Sequence, residues 1–160
     1  MSKHKEEKTN VMRTLDQKKI AYIPHAYDPD GPIDGVSVAR TLGQDPACVF
    51  KTLVTRGASG GYYVFDIPAA ENLDLKKAAR AVGEKSVAML PQKELLPLTG
   101  YVHGGGSPVG MKKRYPTFID ETCTLWDEIA VSAGARGHQM IVPPQPLADL
   151  VGAELTDIIV

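Results

Sequence analysis

The sequence predicts an α+β fold with a mixed, largely antiparallel sheet. Segments with strand-like alternation and segments with helical periodicity are interspersed without a regular βα repeat, which argues against a parallel doubly wound sheet. Two of the strand-like segments are joined by a short connection rich in glycine and other small residues, 57–61, which indicates a β-hairpin. The length of 160 residues and the apolar fraction of 43% fit one folded domain spanning 1–160, with residues 1–7 expected to be flexible.

Local signals predict each element in turn. Thr9 is a typical N-cap for a helix that runs to about Lys18, Ser37 is the predicted cap of a short helix ending at Gly43, and Asp74 and Gly83 bracket another helix. Further helical turns are predicted after Asp45, after Pro91 and after the Pro143–Pro144 pair. Strands are predicted at 21–27, 49–55, 62–67, 86–89, 117–120, 129–132, 138–142 and 155–160, the first as an edge strand because it contains Pro24.

Composition and charge exclude several classes of protein. The net charge of −1 argues against binding nucleic acid by bulk charge, so an RNA contact needs a local patch, and DNA is not an expected partner. The polar N-terminus is not a signal sequence, and no apolar run is long enough to span a membrane. Cys48 and Cys123 form neither a disulfide framework nor a CxxC motif, so we expect a cytoplasmic protein. The histidine spacing predicts neither metal nor cofactor.

Lys51 is the first candidate functional residue, because it interrupts the apolar strand 49–54. Burial of an ammonium group costs several kcal/mol unless an acceptor pairs with it. Lys51 therefore either reaches the surface or a carboxylate as a structural residue, or faces a cleft and binds a phosphate, hydroxyl or carbonyl. The residues around Lys51 leave both interpretations open.

Three other segments are candidates. The glycine-rich segment 104–110 is either a surface turn or a loop whose N–H groups bind an anion. The three cations at 112–114 are either a solvated face or an RNA-backbone contact. Ser132 precedes a glycine turn but lacks the Gly-x-Ser-x-Gly elbow of hydrolase nucleophiles. No Ser–His or Cys–His pairing stands out, so the sequence indicates no protein nucleophile.

Taken in order, these segments resemble the YbaK/EbsC family of bacterial Cys-tRNA(Pro) deacylases. The resemblance extends over residues 8–158. It rests mainly on Val-Phe-Lys-Thr-Leu-Val at 49–54, Ser-Pro-Val-Gly-Met-Lys-Lys at 107–113, Tyr-Pro-Thr-Phe-Ile-Asp at 115–120 and Val-Ser-Ala-Gly at 131–134. It implies a barrel-like sheet surrounded by helices and an enzyme that removes cysteine from mischarged tRNA. It also implies the 3′ aminoacyl-adenosine end of tRNA as substrate, prolyl-tRNA synthetase as partner, and no cofactor.

The resemblance also implies site residues. Lys51 corresponds to the principal active-site lysine of the family. The implied substrate-binding residues are Tyr22, Thr52, Gly104, Gly105, Ser107, Ser132 and Gln139. Two positions depart from the family pattern: Gly106 stands where a larger residue is expected, and Gln139 stands where some relatives carry an acid.

The missing nucleophile suggests substrate-assisted chemistry, in which the substrate's cysteine thiol attacks its own ester. The protein would then contribute positioning and electrostatic stabilisation. Two alternatives remain: a deacylase of another misacylated tRNA, such as Ala-tRNA(Pro), that uses water, and a non-catalytic module that binds aminoacyl-tRNA or a synthetase.

Overall fold

The structure, a computed structural model, describes residues 8–160. The segment 1–7, expected from the sequence to be flexible, lies outside the described residues. The helices are α1 (Asn10–Gln17), α2 (Gly35–Thr41), α3 (Leu75–Val82), α4 (Leu95–Thr99) and α5 (Pro144–Val151). The strands are β1 (Ile23–Ala26), β2 (Phe50–Gly57), β3 (Tyr62–Pro68), β4 (Val87–Met89), β5 (Thr117–Asp120), β6 (Ile129–Ala135), β7 (His138–Val142) and β8 (Glu154–Thr156).

The strands form two sheets. The larger has the order β4-β2-β3-β5-β8, in which β2 pairs antiparallel with β3 and β4, while β3–β5 and β5–β8 are parallel. The smaller has the order β1-β7-β6 and is antiparallel throughout. This confirms the α+β class and the mixed sheet. The barrel-like closure stays a prediction, because the described strands form no closed ring.

The sheets approach each other where β2 begins. An isolated parallel bridge joins Val49 to Ala130 of β6. Beyond it the edge of β2 is open to β6, because β4 covers β2 only from Thr55 to Gly57. The first half of β2 therefore borders a gap between the two sheets.

The helix termini follow largely from local side chains. Thr9 accepts a hydrogen bond from Met12 N (3.2 Å), and Asp74 accepts from Lys76 N and Lys77 N, as predicted for both caps. Gly83 ends α3 with φ +77°. The prediction that Ser37 caps α2 is wrong, because the cap is Asp34, whose carboxylate accepts from Ser37 N (3.1 Å). Aspartate and serine are both good caps, so the local sequence does not decide between two positions three residues apart.

The main core lies between the two sheets. It joins α1, β6, β7 and α5, and its fully buried members include Leu15, Ile129, Met140 and Leu147. A second cluster packs α3 against the other face of the large sheet through Phe65, Ile67 and Ala78. As a result, β2 and β3 have apolar packing on both faces, and any polar group on them is held in apolar surroundings.

Candidate active site

A cavity of about 420 Å³ occupies the gap beside β2, within the size range of small-molecule sites. Its wall is formed by β2, the connection before α2, the segment from β4 to the glycine-rich loop, and the β6–β7 hairpin. Most lining side chains are apolar, among them Ile33, Val38, Leu53, Leu90 and Val131. A few polar groups converge on this apolar wall, which is typical of a binding or catalytic site.

Lys51 lies in the cavity wall and is half-buried. Burial lowers the pKa of its ammonium group, and the Glu71 carboxylate opposes this effect in part. The Lys51 side chain forms no ion pair or hydrogen bond with any other residue in the described range 8–160. It therefore presents a poorly solvated cation that can hold an anion or a carbonyl oxygen.

Thr52 lies in the same wall but on the opposite face of β2. Its hydroxyl donates to Oδ1 of Asp66, its direct cross-strand partner on β3. Asp66 is 1% exposed, and its second oxygen, Oδ2, has no hydrogen-bond partner among the described residues. Burial raises the pKa of Asp66 to about 7, although the Thr52 hydrogen bond acts in the opposite direction.

The glycine-rich loop contributes Gly104 and Gly106 to the wall. Gly104 has φ +87°, a backbone conformation that favours glycine, and a Cβ there would lie 2.5 Å from Ile33 Cδ1, so a larger residue would also require Ile33 to move. Gly105 is buried against the β6–β7 turn, and the fully buried Ser107 accepts from Val109 N (3.3 Å). These two residues shape the loop and lie outside the cavity wall, so their substrate-binding role stays a prediction.

The β6–β7 hairpin forms the far wall. Ser132 and Gln139 are cross-strand partners that both line the cavity, and the Ser132 hydroxyl accepts from Gly134 N (3.1 Å). Gln139 is 3% exposed and exchanges two amide hydrogen bonds with Gln44 (2.7 and 3.0 Å). This reciprocal pair fixes the amide of Gln139, which stands where some relatives carry an acid.

Tyr22 lies outside the cavity wall. It is half-buried beside the main core, and burial, followed by a hydrogen bond with Asp16, raises the pKa of its phenol. Tyr27, at the end of the same extended segment, lines the cavity instead. Position relative to the strand end is the signal that distinguishes them, because Tyr27 follows β1 whereas Tyr22 precedes it.

The cavity wall includes other side chains that the sequence pattern does not single out. They are Asp34, Gln92, Thr99, Tyr101, His103 and His138. In the described range 8–160, no hydrogen bond joins a histidine side chain to a serine, threonine or cysteine. The cysteines do not line the cavity, and Cys123 is fully buried. The geometry supports binding and electrostatic catalysis better than a protein nucleophile.

The basic run is only partly free. Lys112 Nζ donates to Pro97 O (3.4 Å) and Arg114 donates to Leu150 O (3.2 Å), while Lys113 is exposed. Neighbouring Met111 lines the cavity, so the run lies close to its rim. In residues 8–160, no group of three potential metal ligands comes together, and no helix has the length and apolarity to cross a bilayer.

The family assignment comes from comparison with known proteins. The family model for the aminoacyl-tRNA editing domain matches residues 34–150, a range that contains β2, the glycine-rich loop and the β6–β7 hairpin. The chain belongs to the aminoacyl-tRNA editing domain family. This confirms the family resemblance predicted from the sequence.

An editing-domain relative from Enterococcus faecalis (strain ATCC 700802 / V583) is 41% identical to this chain. The alignment covers 99% of this chain and 98% of the relative, which carries the provisional name Cys-tRNA(Pro)/Cys-tRNA(Cys) deacylase EbsC. The likeness therefore includes all elements described above, not the cavity segments alone.

Solved structures share the editing-domain fold. A crystal structure provisionally described as a trans-editing enzyme for prolyl-tRNA synthetase matches with a TM-score of 0.79 at 25% identity, covering 94% of this chain and 93% of that one. The crystal structure of a hypothetical protein has a TM-score of 0.87 at 20% identity, with coverage of 95% and 100%, and supports the fold alone.

Proposed function

We propose that this chain is a trans-editing deacylase that removes cysteine from mischarged Cys-tRNA(Pro), and also acts on Cys-tRNA(Cys). The observation that carries the proposal is the 41% identity, over 99% of this chain, to a relative named for those two activities. The cavity supports it, because 420 Å³ accommodates an aminoacyl group and part of a nucleoside. We place the reaction in the cytoplasm.

Lys51 is the central residue of the proposed site. Its ammonium group would hold the ester carbonyl, the ribose or the terminal phosphate. It would also offset the negative charge that develops on the carbonyl oxygen, where a preorganised cation in a water-poor site is most effective. The half-buried position of Lys51 and its lack of an ion-pair partner within residues 8–160 support this role.

The remaining wall would position the substrate. Thr52, Gly104, Ser132 and Gln139 are proposed to contact the aminoacyl-adenosine end, and their convergence on one cavity supports this. Tyr22, Gly105 and Ser107, predicted as substrate-binding residues, lie outside the cavity wall, so we propose that they support substrate binding indirectly, by shaping the neighbouring segments. The barrel-like closure around the cavity belongs to the same proposal, supported by the Val49–Ala130 bridge between the sheets.

The proposed reaction uses the substrate's own thiol. The cysteine sulfur attacks the ester carbonyl, the C–S bond forms and the bond to the ribose oxygen breaks. The thiol proton ends on that ribose oxygen, releasing tRNA and a small cyclic thioester. This step consumes no water, and attack geometry held by the enzyme can contribute about 7–11 kcal/mol. The lack of a hydrogen-bonded serine–histidine or cysteine–histidine pair in residues 8–160 supports it.

A deacylation panel tests the proposal. We expect rapid release of cysteine from Cys-tRNA(Pro) and Cys-tRNA(Cys), and little release from Ala-, Ser- or Pro-tRNA(Pro), which lack the thiol. Equal turnover of Ala-tRNA(Pro) would instead favour water attack and overturn the thiol mechanism. Tight binding of all charged tRNAs without turnover would identify a binding module.

We further propose that prolyl-tRNA synthetase provides much of the tRNA selectivity. The net charge of −1 and the partly engaged basic run support this, since they leave little surface for holding a whole tRNA. In a competition between Cys-tRNA(Pro) and Cys-tRNA(Cys), added prolyl-tRNA synthetase should shift deacylation toward the former. An unchanged ratio together with no measurable association would rule out this partnership.

A further inference from the structure

We propose that Asp66 is a positioning residue for deacylation, acting through the Thr52 hydroxyl to present a proton acceptor to the substrate's attacking thiol. The inference rests on the proposed function and extends it to a residue outside the cavity wall. The two side chains would form a short relay from the cavity into the space between the sheets.

Strand register brings the two side chains together. The backbone bonds Ala69 N to Val49 O (2.7 Å) and Gly57 N to Gly61 O (2.8 Å) place the odd-numbered residues of β2 in hydrogen-bonded pairs. Thr52 and Asp66 therefore form a non-hydrogen-bonded pair, the kind in which opposing side chains approach most closely. The same alternation directs the backbone N–H and C=O of Thr52 toward the open edge of β2.

The hydrogen bond has a direction with chemical consequences. When Asp66 is ionised it can only accept, so Thr52 must donate its proton to Oδ1. The lone pairs of the Thr52 oxygen are then left free to accept a proton, and Thr52 lines the cavity. Without the carboxylate, the same hydroxyl would be free to turn its proton toward the substrate and would no longer be a fixed acceptor.

Proton transfer balances along this path. As the substrate sulfur attacks, its proton passes to the Thr52 oxygen while the Thr52 proton passes to Asp66. When the ester bond breaks, the reverse shift returns a proton through Thr52 to the departing ribose oxygen. Asp66 ends ionised and Thr52 ends as a hydroxyl, so neither side chain is consumed.

The surroundings of Asp66 favour a proton acceptor near neutrality. No cation in the described range 8–160 faces it: Lys51, its neighbour on β2, lies on the opposite strand face. On the turn after β5, Cys123 is close enough for Asp66 to help raise the thiol's pKa, and Asp120 is engaged by Thr122 and by Ile158 N. The pKa of Asp66, about 7, is close to that required of a base at cellular pH.

Single-turnover deacylation of Cys-tRNA(Pro) between about pH 5.5 and pH 9 tests the relay. The wild-type rate should rise with pH to a plateau with a midpoint near 7. Asp66→Asn and Thr52→Val should each lower the plateau about 10²-fold and abolish that rise. Their double variant should be no slower than either single variant, because the two residues act as one unit. Thr52→Ser, which keeps the hydroxyl, should recover most of the rate.

Lys51→Ala serves as the contrast, since it should lower the rate and leave the rise near pH 7 in place. A folded Asp66→Asn or Thr52→Val protein with the wild-type rate and pH profile would overturn the relay. A slow Asp66→Asn protein beside a normal Thr52→Val protein would overturn it too, by showing that Asp66 acts only on the fold. If Asp66→Asn does not fold, Thr52→Val decides. A wild-type protein inactive on Cys-tRNA(Pro) would refute the proposed function itself.

Discussion

The two faces of β2 hold ionisable groups in different ways. On one face the Lys51 side chain is half-buried, lies in the cavity wall, and makes no hydrogen bond or ion pair with the rest of the described chain. On the other face the Asp66 carboxylate is fully buried behind Thr52, which stands between it and the cavity. Burial is the main cause of both pKa shifts: it lowers the pKa of Lys51 and raises that of Asp66, so it favours the neutral form of each group.

The difference shows how one strand can support two kinds of chemistry. A cation that reaches the cavity directly can stabilise charge on the substrate. A carboxylate hidden behind a hydroxyl cannot touch the substrate, but it can fix which way the hydroxyl points. In the proposed reaction, Lys51 therefore acts on the carbonyl oxygen and Asp66 on the thiol proton.

Removal of Lys51, the group that borders the cavity directly, should have the largest effect on activity. Lys51→Ala should lower the rate of Cys-tRNA(Pro) deacylation by about 10²–10³-fold, the usual loss when a preorganised electrostatic group is removed. Its melting temperature should remain near that of the wild type. Lys85→Ala, at an exposed lysine outside the cavity wall, is the control and should keep full activity. A folded Lys51→Ala protein with normal activity would contradict the central assignment.

Removal of the buried Asp66 carboxylate should change how the unfolding free energy depends on pH. Because the folded-state pKa of Asp66 is raised to about 7, folded protein holds its proton at a pH where unfolded chain has released it. Stability from this group is complete below about pH 4 and is lost as pH rises through 7. Between pH 4 and pH 8, the unfolding free energy of Asp66→Asn should therefore rise relative to that of the wild type by roughly 2–4 kcal/mol, measured by urea unfolding. If the difference in unfolding free energy between variant and wild type does not change with pH, burial does not raise the pKa of Asp66.

On the far wall of the cavity, the buried Gln139 pairs with Gln44, and this polar pair is uncharged, in contrast to Lys51 and Asp66. Gln44→Ala leaves the buried amide of Gln139 without its partner, so we expect a loss of about 1–3 kcal/mol in unfolding free energy and a higher KM. Gln145→Ala removes an exposed amide–carboxylate bond to Asp149 and should cost less than about 0.5 kcal/mol. Equal losses in the two variants would show that burial does not distinguish these bonds.

The smallest expected effect concerns the environment of Lys51. Glu71 raises the pKa of Lys51 against the effect of burial, so Glu71→Gln should lower that pKa further. If the charged form is required, the alkaline decline in deacylation should move to lower pH, and only slightly, since Glu71 is exposed and screened by solvent. Glu128→Gln, at another exposed glutamate, should leave the profile unchanged. A shift toward higher pH would contradict the sign.

Local chemistry made much of the fold predictable. Thr9, Asp74 and Gly83 define helix ends through contacts within four residues, and the hairpin at 57–61 joins neighbouring strands. The strand order and the parallel pairing of β3 with β5 were not predictable, because they depend on partners more than fifty residues apart. The cap of α2 is a local feature that was still predicted wrongly, because Asp34 and Ser37 are both capable of capping a helix.

The candidate site was predictable where an isolated residue breaks a pattern. Lys51 stands out as an ion in an apolar strand. Asp66, between Phe65 and Ile67, breaks the pattern in the same way but was not predicted, although the same signal could have identified it. The Gln44–Gln139 pair joins residues 95 positions apart, so nothing local indicates it. Tyr27 is hard to predict, because Tyr22 satisfies the same expectation of an aromatic residue in that segment.

The pairing of β1 with β7 has a consequence for biosynthesis. Ile23 of β1 pairs with Ile141 of β7, so β1 cannot pair until a strand more than a hundred residues further along the chain has been synthesised. Closure of such long loops is slow and entropically costly. The cavity has no far wall until the β6–β7 hairpin has left the ribosome and docked. A nascent chain would therefore contain Lys51 and Asp66 before it could bind substrate, and editing would begin only after the β6–β7 hairpin has docked.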